Sequence, residues 1–352
     1  MHRKKSRKDA KKLTIYKNYL IESREKTLKK LNERVYANTS LQDYKLLYVL
    51  GEGNYGMVLA AQNRKSGKQY AIKIVEKRKV ISTTQIKHLK SEIKILNAIR
   101  FTFAISLECY FTNSCNIFIV LPEISGGHFC KFLKRIKRFD ENSARFFAGQ
   151  VILTIEYLHH MGIIYRDLKP ENLLLDLNGY LKFVDFGFSK YIENNLTYTF
   201  CGTPDYIAPE ILANKGYTKS TDWWSLGILL YEMCNGEPPF KSSNELKLYE
   251  KILIGKINWP EHFSSSLISV NEGLLQVNKT RRLGCMKNQV DDIKNHEWFN
   301  NFDWYALWKK SIVPPVTYTP PKKRRNFSFD EKFPFACKDV YESFIKDFDH
   351  HV

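Results

Sequence analysis

Residues 165–172 read Tyr165-Arg166-Asp167-Leu168-Lys169-Pro170-Glu171-Asn172, and after a short apolar run the chain reaches Asp185-Phe186-Gly187. One carboxylate, one ammonium and one amide stand within a few positions of each other, and a second carboxylate follows just before a glycine. This set suits phosphoryl transfer. Asp167 is placed to accept a hydroxyl proton, Lys169 to meet a phosphate oxygen, and Asn172 with Asp185 to offer hard oxygen ligands to Mg2+. Pro170 and Gly187 mark turns, so the groups sit on loops beside short strands. Leu173-Leu174-Leu175 and Leu181-Lys182-Phe183-Val184 are those strands, with Asn178-Gly179 as the hairpin signal between them.

Towards the N-terminus, the strand Tyr44 to Leu50 leads into Gly51-Glu52-Gly53-Asn54-Tyr55-Gly56. Alone, this glycine spacing fits a dinucleotide-binding turn as well as a hairpin that covers nucleotide phosphates. The dinucleotide reading requires a helix next. Instead, Met57 to Gln62 reads as a strand, and Lys65-Ser66-Gly67 closes a hairpin. Glycines here let backbone amides approach phosphates without side-chain obstruction. The third strand carries Tyr70-Ala71-Ile72-Lys73. The helix that follows has Ile86, Leu89, Ile93 and Leu96 on its inner face and Glu92 in its middle. Residues 140–160 form a long helix with Phe147, Val151, Ile155 and Leu158 inward, ended by Gly162. Asp222-Trp223-Trp224 opens a helix that is apolar almost all round, which predicts burial in the core.

The 352 residues allow one large domain or two lobes, and 43% hydrophobic and 14% aromatic content supplies a substantial core. No apolar run is long enough to span a bilayer. Met1-His2-Arg3-Lys4 opens with charge, so no signal peptide is expected, and His2 does not fit N-myristoylation. Seven scattered cysteines without a Cys-x-x-Cys pair read as free thiols in a reducing compartment, with Cys201 as a small buried residue. The formal charge of +18 permits nucleic acid, acidic membrane or acidic protein partners without selecting one. The basic residues 1–12 read as a disordered solvated tail, with a nuclear address or membrane contact as the sharper alternative. From Leu13 to about Val35 the spacing of Tyr16, Leu20, Leu28, Leu31 and Val35 predicts an amphipathic helix that packs on a lobe.

The motifs together resemble the protein-kinase signatures: the glycine loop, the strand lysine, the catalytic loop and the Asp-Phe-Gly loop, in that order. Tyr165, where most kinases have His, is similar to the AGC group of serine/threonine kinases. Within that group the likeness is closest to the cyclic-AMP-dependent kinase catalytic subunits and runs over almost the whole chain. Leu28-Lys29-Lys30-Leu31-Asn32 looks like their long N-terminal helix. The resemblance implies an α+β, bilobal kinase fold: a small antiparallel-sheet N-lobe with one main helix and a larger, mostly helical C-lobe. An N-terminal helix and an AGC-type C-terminal tail are added to it. The implied boundaries are 1–43 for the basic tail and amphipathic helix, 44–298 for the kinase domain and 299–352 for the C-terminal tail. Within the domain they are N-lobe 44–121, hinge 122–127 and C-lobe 128–298.

The resemblance also implies roles. ATP and Mg2+ are the expected cofactors. Leu50, Gly51, Gly53, Gly56 and Val58 would cover the nucleotide, with Ala71 and Leu174 enclosing adenine. Leu121 would gate the rear of the pocket, and Pro122 and Ile124 would meet adenine from the hinge. Glu92 would pair with Lys73, which holds phosphates. Thr203 would position Asp167 and Lys169. Thr199 aligns with the activating phosphosite, with His88, Arg166 and Lys190 as receivers. Glu210 would pair with Arg282, and Asp222 would brace the catalytic loop through backbone N–H groups. His296 would be core or capping. In the tail, Phe327 would lie near adenine. Phe344 and Phe348 are spaced one residue wider than the family's Phe-x-x-Phe docking motif, which Tyr341 and Phe344 match.

The expected reaction moves the ATP γ-phosphoryl to Ser or Thr in proteins with basic residues upstream. Glu171 and Glu232 match two of the family's acidic substrate-binding positions. The third is His128, and the tail acidic cluster is reduced to Asp330 and Glu331. Weakened demand for Arg three residues before the acceptor is therefore expected. Tyr198, Lys215, Lys219 and Tyr249 lie where a cyclic-nucleotide-binding regulatory subunit would dock, or are ordinary surface residues. No cyclic-nucleotide domain is expected within these residues. Arg325-Asn326-Phe327-Ser328 offers a candidate autophosphorylation site. A cytoplasmic or nuclear location, no transmembrane segment and no nucleic-acid partner are expected. A kinase outside cyclic-nucleotide control, a pseudokinase scaffold and a nucleic-acid-binding protein remain the other classes.

Overall fold

The computed structural model describes residues 2–33, 39–53, 56–80, 82–193 and 195–316. Tyr341, Phe327, Phe344, Phe348, Asp330, Glu331 and the Arg325–Ser328 motif lie outside them.

Period-two apolar patterning builds the first sheet. Its strands are β1 (Tyr44–Gly53), β2 (Gly56–Asn63), β3 (Gln69–Glu76), β4 (Cys109–Thr112) and β5 (Asn116–Pro122), all antiparallel in the order β1-β2-β3-β5-β4. Leu59, Ala61, Ile72, Ile74, Phe118 and Val120 face one way and form an outer cluster with Tyr44, Tyr70 and Phe111. The alternate residues Ala71, Val75, Ile117, Ile119 and Leu121 join the main core. Lys73 falls in that second set, opposite Val58 on one side and Ile119 on the other. Strand parity alone therefore turns its ammonium towards the core face.

The helix α2 (Thr83–Ala98) packs Leu89, Ile93 and Leu96 into that core. Ser82 and Gln85 cap it reciprocally. Before the sheet, α1 (His2–Asn32) lays Tyr16, Leu20 and Thr27 inward. Its Tyr16 and Tyr19 meet Trp308 with ring centroids 5.1 and 4.9 Å apart. The helix starts at His2, so over residues 2–12 the expectation of a disordered tail is corrected. Lys and Arg are good helix formers, the docked segment behind them supplies the nucleus, and Lys12 pairs with Asp303 at 2.8 Å.

The second lobe is helical. It opens with the short strand β6 (Gly127–His128) and α3 (Phe129–Ile136), followed by α4 (Glu141–His160). Asp140 caps α4 by accepting the Ser143 amide at 2.8 Å. Gly162, at φ +78, ends it where a Cβ would lie 2.9 Å from the Tyr191 ring. The short strands β7 (Ile163–Ile164), β8 (Leu173–Leu175), β9 (Leu181–Phe183) and β10 (Lys190–Tyr191) then frame the catalytic stretch, in sheets β10-β7 and β6-β8-β9. After α5 (Pro209–Leu212), α6 (Ser220–Asn235) is buried almost all round, as its composition predicts. Arg282 is fully buried against Glu210, with contacts of 2.7 and 2.9 Å, and His296 caps the turn that holds Trp298. No helix among the described residues is long and apolar enough to cross a membrane. Cys109, Cys130, Cys201, Cys234 and Cys285 are free thiols, and Cys201 is buried. The expectation of free thiols fails at Cys115, which is disulfide-bonded.

Candidate active site

The stretch 165–172 is held in shape from below. Asp222, at the start of α6, accepts the backbone N–H of Tyr165 at 3.0 Å and of Arg166 at 2.8 Å. Those two amides have no strand partner, because Arg166 sits at φ +70, a left-handed conformation that breaks the extended chain. His159, at the end of α4, donates to the same Asp222 carboxylate at 2.7 Å. Burial lowers its basicity, so it serves as a neutral donor. The Tyr165 ring is fully buried, edge-on to Phe183 and Phe186.

The loop presents a closed polar circuit. Asp167 accepts from the Thr203 hydroxyl at 2.9 Å and from the Asn172 amide at 2.7 Å, and pairs with Lys169 at 3.0 Å. Lys169 also donates to Thr203 at 2.7 Å. Thr203 thus joins the circuit from 36 residues away. Its approach depends on Gly202, at φ +117, where a Cβ would lie 3.2 Å from the Arg166 carbonyl. Because the Asn172 amide nitrogen is taken by Asp167, its Oδ1 is the atom left for a cation.

Pairing of β8 with β9 sets Leu173 opposite Phe183, so Asn172 and Asp185 flank the same end of that ladder. The Val184 N–H reaches the Asn172 carbonyl at 3.2 Å. Across the cleft, Lys73 meets Glu92 at 2.6 Å. Burial works against the Lys73 ammonium, but Glu92 and Asp185 outweigh it and hold it charged. Gly187 completes the corner. A Cβ there would lie 3.1 Å from Asp185 Oδ1 and 3.7 Å from Glu92 Oε2. Asn172 and Asp185 make a thin donor set, and among the described residues no cluster of three or more His, Cys, Asp or Glu has metal-site geometry. This suits Mg2+, which keeps water and substrate phosphates in its shell and rarely needs an all-protein cage.

Above the corner, the register pairs Gly51 with Val58 and Gly53 with Gly56. Gly56 lies so close to β3 that a Cβ would overlap the Ile74 carbonyl, which explains glycine there. Ala71 pairs with Leu121, and Tyr70 with Pro122, so the strand edge runs directly into the hinge segment. Leu50, Val58 and Ile124 are half-buried against the core, and Leu174 is half-buried on β8.

In the segment after Asp185-Phe186-Gly187, the Thr199 carbonyl accepts from Tyr217 at 2.6 Å, and Tyr217 takes Arg166 Nη1 at 3.1 Å. Lys190 donates to Thr197 at 3.1 Å rather than to Thr199. His88 is made less basic by burial and then by Arg166 and Lys190, so the three cations share one neighbourhood. Glu232 receives the Tyr206 hydroxyl. Burial pushes its carboxyl up to about 7, with Glu171 and Asp205 adding to the shift and Tyr206 opposing it. His128 sits at the N-cap of α3, opposite Leu174.

Sequence reasoning did not find His159, Tyr217 or Gln150. Gln150 Oε1 accepts the Leu181 N–H at 2.8 Å from inside α4. A polar residue on the inward face of an otherwise apolar helix was the available signal for His159 and Gln150. Tyr217 carries no such signal.

The sequence model of the protein kinase domain matches residues 44–299. The cAMP-dependent protein kinase catalytic subunit of Schizosaccharomyces pombe is 45% identical over 281 residues, covering 80% of this chain and 54% of that protein. The cAMP-dependent protein kinase catalytic subunit 3 of Drosophila melanogaster is 42% identical over 276 residues, covering 78% and 47%. The cAMP-dependent protein kinase type 3 of Saccharomyces cerevisiae is 40% identical over 318 residues, covering 88% and 79%. The chain thus spans about half the length of the first two relatives.

Proposed function

This chain belongs to the protein kinase family, and from that premise we propose that it is an ATP-dependent serine/threonine kinase of the cyclic-AMP-dependent type. The family uses ATP and Mg2+ generally. The observation that carries the reading is the circuit of Asp167, Lys169, Thr203 and Asn172, facing the Lys73–Glu92 pair across Asp185. In this proposal Asp167 orients the substrate hydroxyl and takes its proton as the new P–O bond forms, while the bond to the leaving ADP oxygen breaks. Lys169 and Thr203 hold Asp167 in place. Lys73 binds phosphate oxygens, and Glu92 fixes its direction. Asn172 and Asp185 would hold Mg2+, which supplies charge neutralisation on the phosphates when bound. Leu50, Gly51, Gly53, Gly56, Val58, Ala71, Leu121, Pro122, Ile124, Leu174 and Phe327 form the nucleotide side of the same assignment. The lobes 44–121 and 128–298, the hinge 122–127 and the flanking segments 1–43 and 299–352 belong to it too.

We assign Glu171 and Glu232 to basic residues upstream of the acceptor, and His128 to the position where a third acid would sharpen that demand. Losing one charge-assisted hydrogen bond of about 1.5–3 kcal/mol relaxes selectivity by about tenfold or more. An Arg-positional peptide library tests this. His128→Glu should raise the preference for Arg three residues upstream by about tenfold. Wild type that is already stringent there, or an unchanged variant, rejects the assignment.

We assign Thr199 as the phosphosite, received by His88, Arg166 and Lys190. We also assign a regulatory-subunit surface around Tyr198, Lys215, Lys219 and Tyr249. Support for that surface is its apolar exposure: Tyr198 is 60% exposed, Phe200 59%, Leu246 73% and Ile254 72%, with Phe200 edge-on to Tyr249. A cytoplasmic or nuclear location accompanies this reading.

A further inference from the structure

Away from the ATP-site residues, α1, the end of α4 and the start of α6 line a solvent-open pocket of about 770 Å3. Its wall carries Lys17, Arg24, His160, Lys219 and Lys279. The acids that line it are Glu156 and Asp291, and Glu156 already accepts from Tyr16 and Lys294. The cations are poorly answered. Arg24 donates to the His160 carbonyl, and Lys279 to the Gly216 carbonyl at 3.0 Å. Half-buried Lys219 has no hydrogen-bond or ion-pair acceptor among the described residues. Burial draws Lys219 below the ordinary lysine range and Arg24 adds to it, while His160 is lowered by burial and then by Arg24. Arg24 and Lys219 therefore repel one another across the shared space, an unfavourable contact that an anion between them would relieve. The N-terminus of α6, which has no side-chain cap, lies in the same wall and adds positive potential.

We propose that this cavity binds a compact polyanion with clustered phosphate groups, gripped between Arg24 of α1 and Lys219 and Lys279 of the helical lobe. Its size falls in the range of small-molecule sites, about 300–1,000 Å3, and exceeds what a single phosphate fills. A guanidinium and two ammonium groups converging from separate elements match several phosphates better than one carboxylate. Leu20 and Trp223 give the occupant an apolar floor. The bound anion would tie α1 to α4 and α6.

The test uses the full chain with its nucleotide cleft filled by a non-hydrolysable ATP analogue and Mg2+, so that phosphate cannot bind there. Calorimetric titration with inositol hexakisphosphate at physiological salt should show binding that raises the melting temperature. Lys219→Gln should weaken it about tenfold or more, as loss of one charge-assisted contact predicts. The unliganded Lys219→Gln variant should melt no lower than wild type, because a repelled cation is removed. Lys279→Gln, on a separate element, should weaken binding similarly. Vesicles of phosphatidylcholine doped with a phosphatidylinositol bisphosphate form the second arm. Capture on them assigns a lipid headgroup, and binding of the soluble probe alone assigns a free compound. No binding in either arm, or affinity unmoved by Lys219→Gln and Lys279→Gln, overturns the proposal. Binding is read without catalysis, so its failure leaves the kinase reading untouched.

Discussion

Two acidic residues of the helical lobe behave in opposite ways, and each makes a prediction. Glu232 is held up to about 7 by burial and by neighbouring acids, so it loses its charge as pH falls through neutrality. If it binds an upstream Arg, KM for Arg-containing peptides should rise between pH 8 and pH 6, with a midpoint near 7. Glu232→Gln should flatten that rise. Steady-state kinetics across this range check it, and a wild-type KM that ignores pH would remove Glu232 from substrate binding. Glu210 lies below its ordinary range. Burial pushes it up, but the paired Arg282 guanidinium outweighs that. Arg282→Ala strands a buried carboxylate and should cost about 3–5 kcal/mol in urea unfolding. A loss under about 1 kcal/mol, the ordinary worth of an exposed pair, would mean that water reaches the site.

At the scale of elements, the loop that carries Asp167 is suspended from helix ends. The end of α4 contributes His159, the start of α6 contributes Asp222, and Asp222 carries the amides of Tyr165 and Arg166. Asp222→Ala leaves those two buried N–H groups unanswered, at about 1–3 kcal/mol each. Amide exchange at Tyr165 and Arg166 should accelerate, and kcat should fall about tenfold or more while KM for ATP holds. Unaltered exchange would show that another acceptor takes over. The sequence put Asp167 and Asn172 on one loop five residues apart, and the direct bond between their side chains appears only in the structure. The strand register puts Lys73 on the core face. His159 and Asp222 lie 63 residues apart, and no local pattern declares such a pair. The helical start at His2 was misread because a run of like charges signals solvation, whereas docking of the following turns decides the conformation.

For the molecule as a whole, the fold works by bringing distant segments to one corner. The sheet supplies Lys73, α2 supplies Glu92, the catalytic loop supplies Asp167 and Asn172, and the loop after β9 supplies Asp185. The ion pair of 2.6 Å and the ring of bonds around Asp167 hold these groups in fixed positions, the kind of arrangement by which preorganised charge would lower the barrier of the proposed transfer. The charge of +18 says little about this chemistry, since the acids that matter are few and locally placed. The most direct measurement is transfer of labelled γ-phosphoryl from ATP to a serine peptide with upstream arginines, comparing wild type with Asp167→Asn. Wild type should phosphorylate the peptide, and the variant should lose about 10²–10⁴ in kcat while still binding Mg2+-ATP. A wild-type chain that binds Mg2+-ATP but yields no phosphopeptide, or a variant as fast as wild type, would contradict the account.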